Sequence, residues 1–244
     1  AVMNFLKNNG TDTDMLIFGM SFDYYRGNTP SHKKKLSVEK NLILPVKHIA
    51  EHFFYLYETN YLSSACNKVI RASVIRENAI LFNEEMAILE DFKFVLDILG
   101  KSNEIIAIKD VFYRYYNDMD ESSLKRRPMI DYKHNFSILD IKLKEFALFA
   151  NLTDEFSVGR INGIIIRYYL LAIEKVFGST SRPQNKYKEL HKYVYDAQVK
   201  EAIDNAVCTG KRLQVIHWLM KKRLTLLLYL AFSLNEVIST LRRY

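Results

Sequence analysis

From about residue 129 to the C-terminus, apolar side chains recur at helical spacing and no segment reads as a strand. Phe136, Leu139, Leu143, Phe146 and Phe149 mark one helix face, and Ile161, Ile164, Ile165, Tyr168, Tyr169 and Ile173 mark another. A third helix is expected over 186–207, with Gly210 as its stop. Upstream the texture differs, with short apolar runs alternating with short helical patterns. This division predicts an α/β domain over 1–128 and an all-helical domain over 129–244.

In the α/β part, "DMLIFGMSFDYY" (14–25) reads as a buried strand and "RGNTPSHKKK" (26–35) as a loop. "PVKHIAEHFFYLYE" (45–58) reads as a helix opened by a proline at its first position. A short apolar run and a short helix from Ser73 follow. "NEIIAIKDVFYRYYND" (103–118) reads as two strands, Ile105–Ile108 and Val111–Tyr116, ahead of a polar loop over 118–128. Residues 1–10 read as the end of an amphipathic helix running into a glycine stop, so the chain is expected to begin inside a domain.

Composition narrows the class. Eight Gly and four Pro against 31 Tyr and Phe argue against disorder and against a turn-rich all-β fold. Cys66 and Cys208 have no metal-ligand spacing and make no disulfide framework, which points to a reducing cytoplasm. The net charge of +7 is concentrated. Residues 209–244 carry seven basic side chains and one acidic one, Glu236, so the excess calls for a local explanation.

The chemistry-bearing feature is "LEDFKFVLDIL" (89–99). Phe92, Val95, Leu96 and Leu99 fall at i, i+3, i+4 and i+7, so a helix with one buried face starts at the adjacent carboxylates Glu90 and Asp91. Carboxylates there stabilise free backbone N–H groups and the positive end of the helix dipole. Periodicity alone favours this capping role over a catalytic one.

The surrounding motifs shift that balance. An Asn67-Lys68 pair, an apolar-basic step over 69–71, a short helix over 73–78, Ile80 to Phe82 and then Glu90-Asp91-Phe92 fall in order, followed by "IAIKDVFYRYYNDMDESSL". This succession over about residues 14–128 resembles the second half of family-2 glycosyltransferases of the GT-A type, the bacterial enzymes of capsule, cell-wall and exopolysaccharide synthesis. The family's usual aromatic before Asn-Lys is Cys66 here.

The resemblance implies the C-terminal part of a GT-A-like mixed sheet with flanking helices. It implies inverting transfer of a sugar from a nucleotide-sugar donor to a hydroxyl of a saccharide or lipid-linked acceptor. It casts Asp91 as the base, with Glu90 orienting a loop or the acceptor, or only helping to start the helix. A carboxylate of reference pKa about 3.9 is a weak base in water, so the site must hold it close to the acceptor and partly desolvated. By the same resemblance, Arg114, Ser122 and Ser123 fall where the family closes over the donor diphosphate, and Arg126 and Arg127 are further candidates there. Asn67 and Lys68 fall on the acceptor side. For each of these, a solvated loop residue or a structural turn is the competing account.

A divalent ion, Mg²⁺ or Mn²⁺, is implied for the leaving diphosphate. The literal match Asp12-Thr13-Asp14 precedes its strand, whereas ligand sites of open α/β sheets gather at strand carboxyl ends. It therefore reads as a turn. The resemblance implies that the metal ligands and the N-terminal nucleotide-binding half lie outside this chain, which alone is then expected to be inactive.

The tail remains. Leu224–Leu234 is an almost wholly apolar run of eleven residues, against about 20 needed to cross a bilayer. On a helix, Thr225, Tyr229, Ser233, Glu236, Thr240 and Arg243 make one narrow polar stripe, with cations at both ends. Two readings stand: a helix lying in the interface of an anionic membrane, or a face packed on neighbouring helices or another subunit. A non-catalytic helical interaction or membrane-association module on the same scaffold is the alternative to the enzyme. Nucleic-acid binding ranks last, because the charge sits beside an apolar tail and no aromatic-basic RNA motif is present.

Overall fold

The computed structural model describes residues 13–26, 29–118, 132–179 and 181–241; the side chains of residues 26, 117–118, 198 and 236–241 are outside that description. The expected polar loop, with Ser122, Ser123, Arg126 and Arg127, lies outside the described residues, as do residues 1–12. The chain divides into two compact units, Ala1–Asp131 with Leu148–Asn151, and Tyr132–Ala147 with Leu152–Tyr244.

The first unit is built on a mixed sheet of β1 (Met15–Arg26), β2 (Thr29–Leu36), β3 (Leu42–Pro45), β4 (Lys68–Ile70) and β5 (Glu104–Asp118). The order is β2-β1-β5-β3, with β4 also on β1. Parallel β1 and β5 form the centre; β2, β3 and β4 pair antiparallel to them. β4 holds Met15–Ile17 and β2 holds Met20–Arg26, so the same edge of β1 changes partner near Gly19. Met15 to Phe18 are buried on successive positions, as a strand covered on both faces requires.

Segment 26–35 departs from the loop expected there, because most of it is strand β2. All its side chains but Leu36 are exposed, so no apolar alternation marks it, and Lys33, Lys34 and Lys35 line a sheet edge. The two strands expected over 105–116 are one strand with a bulge. Ile17 pairs with Ala107 but Gly19 pairs with Val111, so β5 carries extra residues at 108–110. Side chains capture the freed backbone. Tyr61 Oη donates to the Ile108 carbonyl (2.8 Å), Ser37 Oγ to that of Lys109 (2.6 Å), and Asn41 Oδ1 accepts from Lys109 N–H (2.9 Å). A Cβ on Gly19 would lie 2.8 Å from Val111 Cγ2 and 2.9 Å from the Leu36 carbonyl oxygen, so glycine is what lets β1 pass the bulge.

Pro45 ends β3 instead of opening a long helix. Val46–Glu51 forms a 3-10 turn, and α1 (Phe53–Glu58) starts after His52. Two short helices, α2 (Ala72–Glu77) and α3 (Glu90–Leu99), complete the unit. α3 buries Phe92, Phe94, Val95, Leu96, Ile98 and Leu99, with the Phe92 ring 5.5 Å from that of Tyr57.

Described residues of the second unit form α4 (Tyr132–Phe149, its last two residues counted with the first unit), α5 (Glu155–Phe177), α6 (Pro183–Val194), α7 (Ala197–Asn205), α8 (Lys211–Lys221) and α9 (Thr225–Leu241). Phe136, Leu139, Leu143 and Phe146 are buried as the spacing requires, but Phe149 is half exposed. The single helix expected over 186–207 is two. The chain breaks at Tyr195–Asp196, where Lys133 Nζ meets the Asp196 carboxylate at 2.7 Å. Gly210 precedes a helix instead of ending one; its φ of 88° caps α8.

α5 is mostly buried, and one of its sides carries small residues. Gly159 O accepts from Val207 N (2.7 Å), and a Cβ on Gly163 would lie 2.4 Å from the Val207 carbonyl oxygen. Backbone cannot yield there as a flexible side chain would. Gly163→Ala is expected to destabilise the fold by about 1–3 kcal/mol in urea melts. Gly100→Ala, whose Cβ would meet nothing closer than 3.5 Å, is the control and should change stability little. Equal melts for the two variants contradict the close crossing.

Candidate active site

α3 begins abruptly. Its N-cap is Leu89 in the left-handed region (φ 64°, ψ 8°), and no side chain caps the helix. A non-glycine residue there is uncommon and marks a turn held by its surroundings. The two carboxylates are thus not the cap; they occupy the first helical turn, where the dipole favours negative charge.

Asp91 reaches out of its own helix. Its Oδ2 accepts from the backbone N–H of Ala65 at 3.0 Å, across 26 residues of sequence. The side chain is half-buried. One carboxylate oxygen is therefore pinned by a main-chain donor, and no hydrogen bond to Oδ1 is present among the described residues. Glu90 is also half-buried and has no such anchor among the described residues.

Ala65 sits in the turn that carries Asn67 and Lys68. Asn67 is buried. Its Nδ2 donates to the Phe18 carbonyl (3.0 Å), and its own carbonyl accepts from Phe18 N (3.1 Å), which extends the β1–β4 pairing into the turn. The Lys68 ammonium lies beneath the turn, donating to the carbonyl of Tyr61 (2.7 Å), the Asn67 Oδ1 (2.8 Å) and the carbonyl of Ser64. Three acceptors match the three protons of an ammonium. Burial pushes the Lys68 pKa down to about 7, opposed by the charges of Asp91 and Cys66.

These bonds join Asn67, Lys68 and Asp91 into one assembly around residues 61–68. Asn67 and Lys68 spend their polar atoms on the protein itself. Cys66 is exposed in the same turn, and the Tyr113 hydroxyl of β5 interacts with its thiol, which raises the Tyr113 pKa.

Arg114 lies elsewhere in the sheet. It is exposed on β5, with Nε 3.4 Å from Asp23 Oδ2 and Nη1 donating to Tyr116 Oη at 3.4 Å. Asp23 is almost wholly buried on β1 and also meets Lys33 at 3.5 Å, so one buried carboxylate organises two exposed cations. Sequence reasoning misses both Asp23 and the Ala65 N–H. A main-chain donor leaves no residue signature, and Asp23 sits in a run that reads simply as strand.

The described residues do not fit a divalent ion. No three His, Cys, Asp or Glu side chains converge among them. Asp14 is committed to structure: Oδ2 accepts from Asn103 N (2.7 Å) and Oδ1 meets Arg71 Nε at 3.3 Å.

No family model matches the chain, and no curated protein matches it. Among solved structures, the chain is similar to S. aureus TarS 1–349 in complex with UDP-GlcNAc, with TM-score 0.51 and 15% identity over 96% of this chain and 60% of that one. A second structure of TarS 1–349 is matched with TM-score 0.46 and 13% identity, over 96% of this chain and 58% of that one. The chain thus spans about three-fifths of the TarS chain. At this identity the likeness concerns architecture: the chain has a glycosyltransferase-like α/β fold.

Proposed function

We propose that the protein is an inverting glycosyltransferase of the GT-A type, in which Asp91 deprotonates the acceptor. The observation that carries this reading is the Asp91 carboxylate, half-buried at the start of α3 with Oδ2 fixed by Ala65 N–H. A base must hold its geometry through the reaction, and a main-chain donor supplies that without adding a competing acid. The donor is a nucleotide-sugar, by likeness of fold to a protein crystallised with UDP-GlcNAc. The acceptor is a hydroxyl of a saccharide or of a lipid-linked carbohydrate.

In the step itself, the acceptor oxygen forms a bond to the anomeric carbon as the bond from that carbon to the diphosphate oxygen breaks. The electron pair leaves with the nucleoside diphosphate, and the acceptor proton passes to Asp91 Oδ1. Asn67 and Lys68 hold the turn that aims Asp91. Arg114, paired with the buried Asp23 carboxylate, is the described cation assigned to the diphosphate. A leaving diphosphate calls for Mg²⁺ or Mn²⁺, for which the described residues supply no ligand set. Nucleotide-sugars and two unpaired cysteines suit the cytoplasm.

The test is turnover by the full-length protein with UDP-GlcNAc and a panel of other UDP-, GDP- and CDP-sugars. Release of nucleoside diphosphate from at least one, accelerated by an acceptor saccharide, is expected. Absence of both binding and release across the whole panel overturns the assignment.

A further inference from the structure

The described start of the polar stripe of α9, Thr225 and Tyr229, faces its own unit. Thr225 is buried with Oγ1 3.1 Å from Tyr187 Oη, and the Tyr229 ring lies 5.4 Å from Phe177 and 5.7 Å from Tyr187. Leu228 and Phe232 are buried beside them. The opposite side is left aliphatic and open: Leu226 and Leu234 are each 62% exposed, with Leu227 and Leu230 near half exposed. At about 100° per residue these four leucines fall within roughly a third of the helix circumference, so they form one continuous ridge.

The ridge extends onto α8. Val215 and Trp218, one turn apart, are both more than half exposed. A groove between the two helices, lined by Val215, Ile216, Ala231 and Phe232 with Lys211 and Arg212 at its border, joins the two outer faces. Lys221 and Lys222 are exposed at the connection between the helices. Apolar ridge and basic rim adjoin: Arg212 is paired with Glu174 (2.5 Å) and Lys221 donates to the Asp204 carbonyl (2.6 Å), which leaves Lys211 and Lys222 as the rim cations without a partner among the described residues.

The rim decides what fits. A second copy seated on this face would bring two sets of lysines together, which opposes association. An anionic bilayer pairs the lysines with headgroups and takes the leucines and the indole into its interfacial layer. The apolar stretch Thr225–Asn235 is too short to span a bilayer, so contact with one would be along its surface. We propose that the outer face of α8 and α9 is a membrane-docking surface for anionic phospholipid, with Leu226, Leu230, Leu234 and Trp218 as the inserted groups. This assignment stands independently of the role given to Asp91.

Vesicle flotation of the full-length protein tests it, using phosphatidylcholine vesicles with or without about 30% phosphatidylglycerol. Binding is expected to the mixed vesicles only, and to weaken as salt is raised. The triple variant Leu226→Ser/Leu230→Ser/Leu234→Ser alters exposed positions only and should fold; a loss of at least about tenfold in vesicle affinity is expected. Trp218 emission should shift to the blue on binding, a change absent from Trp218→Phe. Equal binding by the triple variant, or none by the wild type, overturns the proposal. So does a dimer in solution that the triple variant abolishes while vesicle binding is absent, since that makes a second copy the occupant.

Discussion

Replacing Asp91 with asparagine is expected to cut turnover by about 10²–10⁴-fold while leaving the melting temperature near that of the wild type. The amide oxygen can still accept from Ala65 N–H, so the turn and the start of α3 keep their geometry. What disappears is basicity, because an amide does not take the acceptor proton. The loss should therefore fall on kcat, with little change in the donor KM. Glu90→Gln serves as the comparison: its partner is the helix dipole, and only a few-fold effect is expected. Steady-state kinetics on the full-length protein decide the matter. Full activity in Asp91→Asn removes Asp91 as the base, whatever becomes of the fold assignment.

Lys68→Met is the second large effect, and it acts on stability and turnover together. Methionine fills similar volume but donates nothing, so the Tyr61 and Ser64 carbonyls and the Asn67 Oδ1 lose their common donor. Leaving such groups unsatisfied costs about 1–3 kcal/mol. Because Ala65 lies between Ser64 and Asn67, loosening the turn also releases Asp91, and turnover should fall by at least about tenfold. A conservative Lys68→Arg variant, still a donor, should recover part of the turnover.

The pH dependence has a definite sign. The folded-state pKa of Lys68, about 7, is below its ordinary 10.5. Between those values the folded protein binds fewer protons than the unfolded one, so stability rises with pH across that window. This contribution is complete above 10.5 and lost as the pH falls through about 7. Lys68→Met lacks it. The stability gap between wild type and variant should widen as pH rises from 7 toward 10.5, read from urea melts at each pH. A gap independent of pH contradicts a lowered pKa for Lys68 in the folded protein.

Strand β1 and helix α3 are legible in the sequence because burial imposes a period. Met15 to Phe18 form an unbroken apolar run, and Phe92, Val95, Leu96 and Leu99 keep helical spacing. Strand β2 is not legible, since an edge strand exposed on both faces needs no pattern beyond backbone pairing. The bulge at 108–110 hides inside what reads as a gap between two strands, and only its captors, Ser37, Asn41 and Tyr61, reveal that the chain is continuous there. At the candidate site, the carboxylate pair is visible as the opening of a helix. That Leu89 caps it, leaving Asp91 to reach Ala65, depends on one left-handed backbone angle that side-chain identity does not encode.

The group that steadies Asp91 is an amide of the main chain, which every amino acid but proline possesses. The side chain at 65 is accordingly at liberty to diverge without disturbing the aim of the carboxylate, whereas the Ser64 hydroxyl accepts from Cys66 N (3.2 Å) within the turn. On the role proposed for Asp91, a protein engineer wishing to recruit a different alcohol has, in position 65, a site to vary while the carboxylate stays as it was.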